Sequence, residues 1–590
     1  MIAAVLTPAT WGRRPSQAIP SVVVEPLGVV LVGLVIVTAV DDIDDEVLAA
    51  VELDVDVSDV VDVTDVLASE VQPAKTNIAT IAALRVTRNM ATVSPIEHHG
   101  GMPIASRVLS NRWLQASACG LAMCLSLPPW GWWPLAIVGF AGLALVIDGE
   151  RRRRKFNLAS LSWFVHFAIS LQWMRDFNIG GYIGATLLES SLLAVGCALT
   201  PRRGTWRFAG LACTLTLAEY VRWKWPFGGV PLSSLALSVA DSPLRWTAPL
   251  GGSMLVMVGI ALLAGAGASF RRDPTARRVT LTMLLIALAI PTTGALLPST
   301  TVTGQMRIAL VQGGGKLGTR AVTDDAHQVF VRHLTASQTI VPGSVDLVLW
   351  PENVINVDGI FETSPEQAQV AAEARRLGAP IVAGVVHDEG SCCFRNQAVV
   401  WDATGKIVDI YDKVHRVPFG EYIPLRSLVE KIADLSLIPH EAISGHKPGL
   451  LHTPAGDLAV VISFELFHPD RAASGVDLGG SVLLGPTNSS SYRDSMVPTQ
   501  TLNASRLRAL ETGRTVTQVS PTGFAAIITA NGELVARSSL KEQRVIMAII
   551  DKRSGRTVYS HIGDGPTLAV CVVALVAISL RRRRLPVGSL

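Results

Sequence analysis

The chain has 590 residues, of which 49% are hydrophobic and 17% are charged, and its mean hydropathy is +0.38. This balance is typical of a protein with membrane-embedded segments and excludes an ordinary soluble enzyme. The formal net charge is only +3, and the basic residues occur in short runs beside apolar segments. Such runs indicate membrane topology, so we expect no nucleic-acid partner.

The N-terminal segment, residues 1–106, has a biased composition that includes DDIDDEVLAAVELDVDVSDVVDVTDVLASE at 41–70. This alternation of Val and Asp lacks turn residues that would organise a fold, so we predict a low-complexity acidic leader. Two interpretations stay open: the leader is disordered, or the start is assigned too far upstream, with Met90 or Met102 nearer the true beginning. A third is that the apolar run 21–40 forms an extra membrane span.

Regularly spaced apolar segments follow the leader and predict membrane helices. They cover residues 109–127, 130–148, 156–174, 181–199, 206–221, 246–270, 279–297 and 566–580. We therefore predict a membrane domain of seven helices over 107–298 and an eighth transmembrane helix over 566–580.

Basic loops mark one side of this arrangement. They read RRRRK at 151–155, PRRGTWR at 201–207, RRDPTARR at 271–278 and RRRR at 581–584. Because loops rich in Lys and Arg stay inside, that side is expected to be the cytoplasm, with residues 581–590 as a basic cytoplasmic tail. The polar segment 305–565 then lies outside.

Residues 305–565 alternate short β-branched runs with amphipathic stretches, which is the pattern of an α/β domain. The predicted strands include MRIALVQ, VDLVLWPEN, PIVAGVV, LAVVISFE and SVLLGPTN, and the predicted helices cover Pro365 to Leu377 and Pro498 to Arg514. Two further segments, at 398–413 and 525–537, predict hairpins with Asp-Ala-Thr-Gly and Asn-Gly turns. The sheet is therefore expected to be mixed.

Candidate catalytic groups stand where predicted strands run into loops. They are Glu352 in LWPEN, Lys413 in YDKVHRVPFGEYIP, and Ser463 with Glu465 in ISFE. Catalytic side chains of α/β folds commonly occupy such positions. Each residue alone is only weak evidence for a catalytic role, because a Glu at a strand end or a Lys in a loop usually has a structural role.

Together and in this order, these residues resemble the Glu-Lys-Cys triad of the nitrilase, or carbon-nitrogen hydrolase, superfamily. The motifs WPEN, YDK..RVPFGEYIP and RLRALETGR, placed behind seven spans and before an eighth, resemble the membrane-bound apolipoprotein N-acyltransferases of that superfamily. The resemblance covers about residues 107–580. It implies a helical bundle that admits lipid from the side. It also implies a four-layer α-β-β-α sandwich on the outer face of the bacterial cytoplasmic membrane.

The resemblance also implies roles for single residues. Glu352 would be the general base, Lys413 the cation that stabilises the oxyanion, and Glu421 a supporting carboxylate, with Glu465 following the nucleophile. The family's pattern at the nucleophile is Cys-Tyr-Glu, whereas this chain has Ser463, Phe and Glu465. The implied reaction moves an acyl chain from phospholipid to the enzyme, and then to the α-amine of a diacylglyceryl-cysteine lipoprotein.

Three functions stay open at this point: the acyltransferase using Ser463 as nucleophile, a catalytically impaired paralogue that binds lipid or lipoprotein, and a membrane-tethered nitrilase-like amidase. Two features keep the impaired paralogue open. A serine hydroxyl must be deprotonated during the attack itself, whereas a thiolate is already ionised. Residues 485–495 also lack the Trp-Phe-Gly that the family carries there. We expect a monomer with no cofactor and no metal ion.

Two other groups of residues, the Glu219–Arg222 pair and the cysteines, are expected to have structural roles. Glu219 precedes Arg222 by three residues, so that on a helix the two would pair, although contact with a lipid headgroup is the alternative. The adjacent Cys392 and Cys393 precede a strand that such folds hold remote from the triad, and we expect ordinary or redox-paired thiols there. The seven cysteines follow no spacing typical of a metal site.

Overall fold

The computed structural model describes residues 111–297, 300–316, 325–431, 435, 440–492 and 496–584. The predicted leader lies outside the described residues.

A helix forms in each of the eight predicted apolar segments. These helices are α1 (Arg112–Leu125), α2 (Pro134–Val146), α3 (Arg152–Ser170), α4 (Ile179–Leu199), α5 (Arg207–Lys224), α6 (Ala248–Arg272), α7 (Arg277–Leu296) and, after the α/β part, α14 (Gly565–Arg584). Within the part of the chain that the structure describes, three stretches are long and apolar enough to cross a membrane, namely Ile179–Leu199, Pro243–Arg272 and Arg277–Leu296. The membrane character is therefore confirmed, while the eight-span topology stays a prediction.

The α/β part between α7 and α14 contains the predicted strands and helices with several more. The strands are β1 (Thr301–Gln312), β2 (Leu347–Leu349), β3 (Ile355–Val357), β4 (Ile381–Glu389), β5 (Cys393–Trp401), β6 (Ile407–Asp412), β7 (Glu441–Ala442), β8 (Leu450–Thr453), β9 (Gly456–Val460), β10 (Leu483–Pro486), β11 (Val516–Val519), β12 (Ala526–Ile528), β13 (Leu534–Arg537) and β14 (Arg544–Ser554). The helices are α8 (Ala326–Ser337), α9 (Pro365–Leu377), α10 (Arg426–Val429), α11 (Pro469–Asp477), α12 (Met496–Thr512) and α13 (Val558–Ile562).

These strands form two mixed sheets, as the sequence predicts. The first has the order β14-β1-β2-β4-β5-β6, with β3 paired to β4 and β7 to β5. The second has the order β13-β12-β11-β10-β9-β8. Both predicted hairpins are confirmed, since β5 with β6 and β12 with β13 pair antiparallel.

Three apolar cores define the layers of this part. One core lies between the sheets and combines residues such as Leu310 of β1 with Val460 of β9. A second joins the first sheet to α8 and α9, and a third joins the second sheet to α11 and α12. The predicted four-layer α-β-β-α sandwich is therefore confirmed.

Helix α12 also connects the sandwich to the helical part. The side chain of Gln500 accepts from the backbone N–H of Ser233 at 2.8 Å, and Asn503 donates to the carbonyl of Leu237 at 2.9 Å. Because both faces of α12 are covered, its residues are almost all buried. The helix over this segment is confirmed, but the expectation of an amphipathic stretch there is wrong, because α12 is buried on both faces.

Candidate active site

Glu352 stands three residues after the end of β2 and is only 5% exposed. The neighbouring strand β4 carries Gly384, where a Cβ atom would lie 2.4 Å from the Cα of Glu352. No side chain fits in that space, so the glycine allows the two backbones to approach. The amide of Gly384 then donates to the carbonyl of Pro351 at 3.0 Å, which fixes the segment that carries the carboxylate.

Lys413 follows β6 and is buried between two carboxylates. Its Nζ donates to Oε1 of Glu352 at 2.9 Å and to Oε1 of Glu421 at 2.8 Å. Burial opposes the charge of this lysine, but the two carboxylates outweigh burial and raise the pKa of Lys413 above its usual value. The two carboxylates therefore favour the charged form of Lys413.

Asn396 of β5 also contacts both carboxylates, because its Nδ2 donates to Oε1 of Glu352 and to Oε1 of Glu421, each at 2.9 Å. The remaining oxygens differ. Oε2 of Glu421 accepts from the backbone N–H of Val417 at 2.8 Å, whereas among the described residues no donor contacts Oε2 of Glu352. Glu352 thus keeps an oxygen that can take a proton, and Glu421 is held in a supporting position.

Ser463 begins a short 3₁₀ turn, Ser463–Phe467, just after β9. Its φ angle is +52°, a left-handed conformation that costs a non-glycine residue roughly 1–3 kcal/mol. The side chain is half-buried, and its Oγ accepts a hydrogen bond from the hydroxyl of Thr487 at 3.3 Å. The serine hydroxyl can therefore still donate its own proton.

Glu465 ties this turn to the loop that follows Lys413. Its Oε1 accepts from the backbone N–H groups of Val414 at 2.8 Å and His415 at 3.0 Å. Its Oε2 accepts from the backbone N–H of Ile462 at 2.8 Å. The hydroxyl of Tyr411 contacts both oxygens. A buried carboxylate thus holds the segments of Ser463 and Lys413 side by side.

Tyr492 lies within electrostatic range of the same carboxylates and was missed by the sequence analysis. Burial and the nearby charge of Glu352 raise the pKa of Tyr492 to about 12. Its ring packs edge-on against Trp173 at 4.9 Å and lies 5.9 Å from Phe177. Tyr492 therefore connects the charged site to an aromatic cluster of the helical part.

One expectation is wrong. The strand after Cys392 and Cys393 was expected to lie remote from the triad, yet it is β5, which delivers Asn396 to both carboxylates. The two cysteines themselves are joined in a disulfide, as the redox-paired interpretation allows. Sequence reasoning missed Asn396 because an Asn inside a strand carries no motif of its own.

The Glu219 and Arg222 pair is buried within the helical part. Arg222 donates to Glu219 at 2.7 Å and to Glu189 at 3.1 Å. It also donates to the carbonyls of Val230 at 2.6 Å and Leu232 at 3.0 Å. These contacts fix the segment after α5, as the structural interpretation predicts.

Comparisons with known proteins match both parts of the chain. The family model for the apolipoprotein N-acyltransferase N-terminal domain matches residues 119–266, and the carbon-nitrogen hydrolase model matches residues 307–559. The apolipoprotein N-acyltransferase of Gloeobacter violaceus is 26% identical over 80% of this chain and 94% of its own length. That of Methylococcus capsulatus is 28% identical over 80% and 96%. Among solved structures, Saccharomyces cerevisiae Nit3, a member of branch 10 of the nitrilase superfamily, covers 49% of this chain and 97% of its own, with 16% identity and a TM-score of 0.33.

Proposed function

Because this chain belongs to the apolipoprotein N-acyltransferase family, we propose that it moves an acyl chain from a phospholipid to the N-terminal α-amine of a diacylglyceryl-cysteine lipoprotein. In this proposal Ser463 carries the acyl chain as an oxyester. Glu352 is the general base, Lys413 stabilises the oxyanion, and Glu421 and Glu465 are positioning residues.

The proposal rests on one observation: the two carboxylates that contact Lys413 differ in their hydrogen bonding. Both oxygens of Glu421 accept hydrogen bonds, whereas Glu352 keeps Oε2 without a donor among the described residues. Glu465 holds the turn of Ser463 against the loop after Lys413. The arrangement therefore supports one base, one cation and one nucleophile.

Acylation of the enzyme is the first half-reaction. The Oγ of Ser463 attacks the ester carbonyl of the phospholipid while Glu352 takes its proton, and a C–O bond forms. Lys413 offsets the charge that develops on the carbonyl oxygen, an interaction worth on the order of 3–4 kcal/mol for a well-placed donor. The ester C–O bond then breaks, the proton passes to the leaving alkoxide, and lysophospholipid departs.

Transfer to the lipoprotein is the second half-reaction. The acceptor amine attacks the acyl-serine carbonyl and forms a C–N bond, and Glu352 takes a proton from the nitrogen. The bond between the acyl carbon and Oγ of Ser463 breaks, and the proton returns to the serine. The product is an amide, which is more stable than the ester consumed, so the sequence of steps runs forward.

The membrane arrangement in this proposal follows the sequence. The protein is a bacterial membrane protein, consistent with its apolar helices and its relatives. We place residues 107–298 and 566–580 in the bilayer as eight spans. Residues 305–565 lie on the outer side as a carbon-nitrogen hydrolase domain, and residues 581–590 lie in the cytoplasm. The aromatic cluster at Tyr492 then forms the route by which an acyl chain reaches the charged site.

N-acylation of a diacylated lipopeptide by the purified full chain in mixed phospholipid micelles tests the proposal. Wild type forms the triacylated product, while Ser463→Ala and Glu352→Gln lower its rate roughly a thousandfold or more. Ser344→Ala serves as the matched control and keeps the rate, because Ser344 is a partly exposed serine that precedes β2, whereas Glu352 follows this strand.

The same assay separates the other candidate functions. If only Ser463→Cys is active, the wild-type chain is an impaired paralogue, because a thiolate suits such a site better than a hydroxyl. If the wild type instead hydrolyses small amides and leaves the lipopeptide unchanged, the amidase interpretation replaces the proposal.

A further inference from the structure

Two histidines and one aspartate meet on the side of the nucleophile turn, in a group that we call the His-His-Asp cluster: His415, His468 and Asp470. His415 follows β6 by three residues, and the other two stand at the start of α11. The three potential ligand atoms all lie within 4.8 Å of one another. Neither the acyl transfer nor the folding of the sandwich, as described above, uses these side chains.

The two rings of the cluster are unusually poor in hydrogen bonds. They stack 4.1 Å apart at an angle of 8°, and no side-chain hydrogen bond reaches either ring from the described residues. His468 is only 1% exposed, and its Nε2 is buried without a partner. Buried imidazole nitrogens normally have a donor, an acceptor or a metal ion as partner.

Asp470 supplies the third, more exposed ligand. Its Oδ2 lies 4.0 Å from Nε2 of His415, and its Oδ1 pairs with Nζ of Lys224 at 3.4 Å. The carboxylate thus offers one oxygen to the imidazoles while the other stays with the lysine. Two imidazoles and a carboxylate are the donor set that zinc and similar divalent ions prefer, with a further coordination position left open.

We propose that the His-His-Asp cluster binds a divalent transition-metal ion of the zinc class. Ligand atoms around tetrahedral zinc lie about 3.3 Å apart, given metal–nitrogen distances of about 2.0–2.1 Å. Binding therefore draws the ligand atoms together by at most about 1.5 Å and turns at least one ring out of the stack. His415 is the more exposed of the two rings, and χ2 of histidine is a broad torsion, so the torsional cost of turning it is small.

Charges that face the cluster set how strongly it binds. Lys224, Arg471 and Arg508 act on His468 as nearby cations. Lys224 and Arg471 also act on His415, where the nearby anions Glu465 and Asp470 oppose them. The mixture neither excludes a dication nor creates a strongly acidic site. We therefore expect selective binding of ions that prefer nitrogen ligands, and no binding of Ca²⁺ or Mg²⁺.

A bound ion would have a consequence for the active site. His415 stands two residues after Lys413, and His468 stands five residues after Ser463. The metal would add a second link between these segments, beside the one that Glu465 makes. Zinc is thus expected to stabilise the fold and to restrain the nucleophile turn, and the binding itself does not depend on the proposed acyl transfer.

Zinc binding to the purified full chain tests the inference. The protein in detergent is stripped with a chelator and dialysed against Zn²⁺, and the bound metal is measured by elemental analysis, with Co²⁺ absorption as a second probe of the ligand geometry. We expect one equivalent of zinc and a raised melting temperature. His468→Phe and Asp470→Asn each weaken binding at least tenfold.

His452→Phe is the matched control, because His452 and Asp457 form an exposed imidazole–carboxylate pair elsewhere; it leaves zinc binding unchanged. Asp470→Asn changes an exposed residue, so it reports on the site even if His468→Phe does not fold. The inference is overturned if the wild type binds no stoichiometric zinc. It is equally overturned if both variants bind as the wild type does, which would indicate an adventitious ion only.

Discussion

Glu465→Gln isolates the contact that holds the nucleophile turn against the loop of Lys413. The substitution keeps the size of the side chain, so it leaves no cavity, but it removes the charge and replaces one acceptor oxygen with an NH₂ donor. In the more favourable orientation, the amide oxygen of the glutamine still accepts hydrogen bonds from the backbone N–H groups of Val414 and His415. The new NH₂ group then faces the N–H of Ile462, which donates to Oε2 in the native protein at 2.8 Å.

The cost follows from these contacts. The loss of one charge-assisted hydrogen bond and the stranding of its buried donor cost about 1.5–3 kcal/mol. The surviving bonds weaken because they are no longer charge-assisted. A total near 3 kcal/mol is expected, which for a domain of this size lowers the melting temperature by roughly 6–12 °C. The rate of acyl transfer falls as well, because the turn carrying Ser463 loses its fixed position.

Thermal unfolding of the purified protein and the lipopeptide assay measure the two effects side by side. Glu430→Gln is the control, since Glu430 is half exposed and pairs only with Arg426 among the described residues. That exposed pair is worth at most about 1 kcal/mol. If Glu465→Gln melts and reacts like the control, Glu465 does not hold the two segments together.

Three further predictions concern the site and its surroundings. Asn396→Leu removes two hydrogen bonds to carboxylates, so we expect kcat to fall roughly a hundredfold with little change in KM for phospholipid. An unchanged kcat would argue against a positioning role for Asn396. Tyr492→Ala raises KM for phospholipid several-fold while Tyr492→Phe does not, because the ring and not the hydroxyl packs on the aromatic cluster. If both variants change KM equally, the packing of the ring does not set phospholipid binding. Reporter fusions after Lys155, Arg278 and Gly315 should read inside, inside and outside, and a cytoplasmic reading at Gly315 would refute the topology.

The fold was largely predictable from local pattern. The apolar segments and the Asp-Ala-Thr-Gly and Asn-Gly turns placed eight helices and two hairpins, because hydrophobic period and turn chemistry act over a few residues. Strands β3, β7, β8, β11 and β14 were not predicted. The first four have only two to four residues each, and β14 has only two buried residues, so their local pattern is short or weak and their formation depends on a neighbouring strand.

Site residues that belong to a local sequence motif could be predicted, whereas residues that join the site only through tertiary contacts could not. Glu352, Lys413 and Ser463 stand in recognisable strand-end motifs. Asn396 contacts both carboxylates from a strand interior, and Tyr492 lies near them in a loop of unusual sequence. Neither proximity leaves a spacing signal in the sequence. The His-His-Asp cluster combines residues more than fifty positions apart, so no metal spacing was visible and no metal ion was expected.

The proposed reaction passes through an acyl-enzyme intermediate on Ser463, which peptide mapping of the wild-type chain detects after incubation with isotopically labelled phospholipid. Without lipopeptide, the label should appear on the peptide that contains Ser463, as an oxyester that resists neutral hydroxylamine. Addition of diacylated lipopeptide should remove it and place the label on the acceptor amine. Transfer of label to the lipopeptide with no adduct on Ser463, or with an adduct on another residue, would show that Ser463 is not the nucleophile.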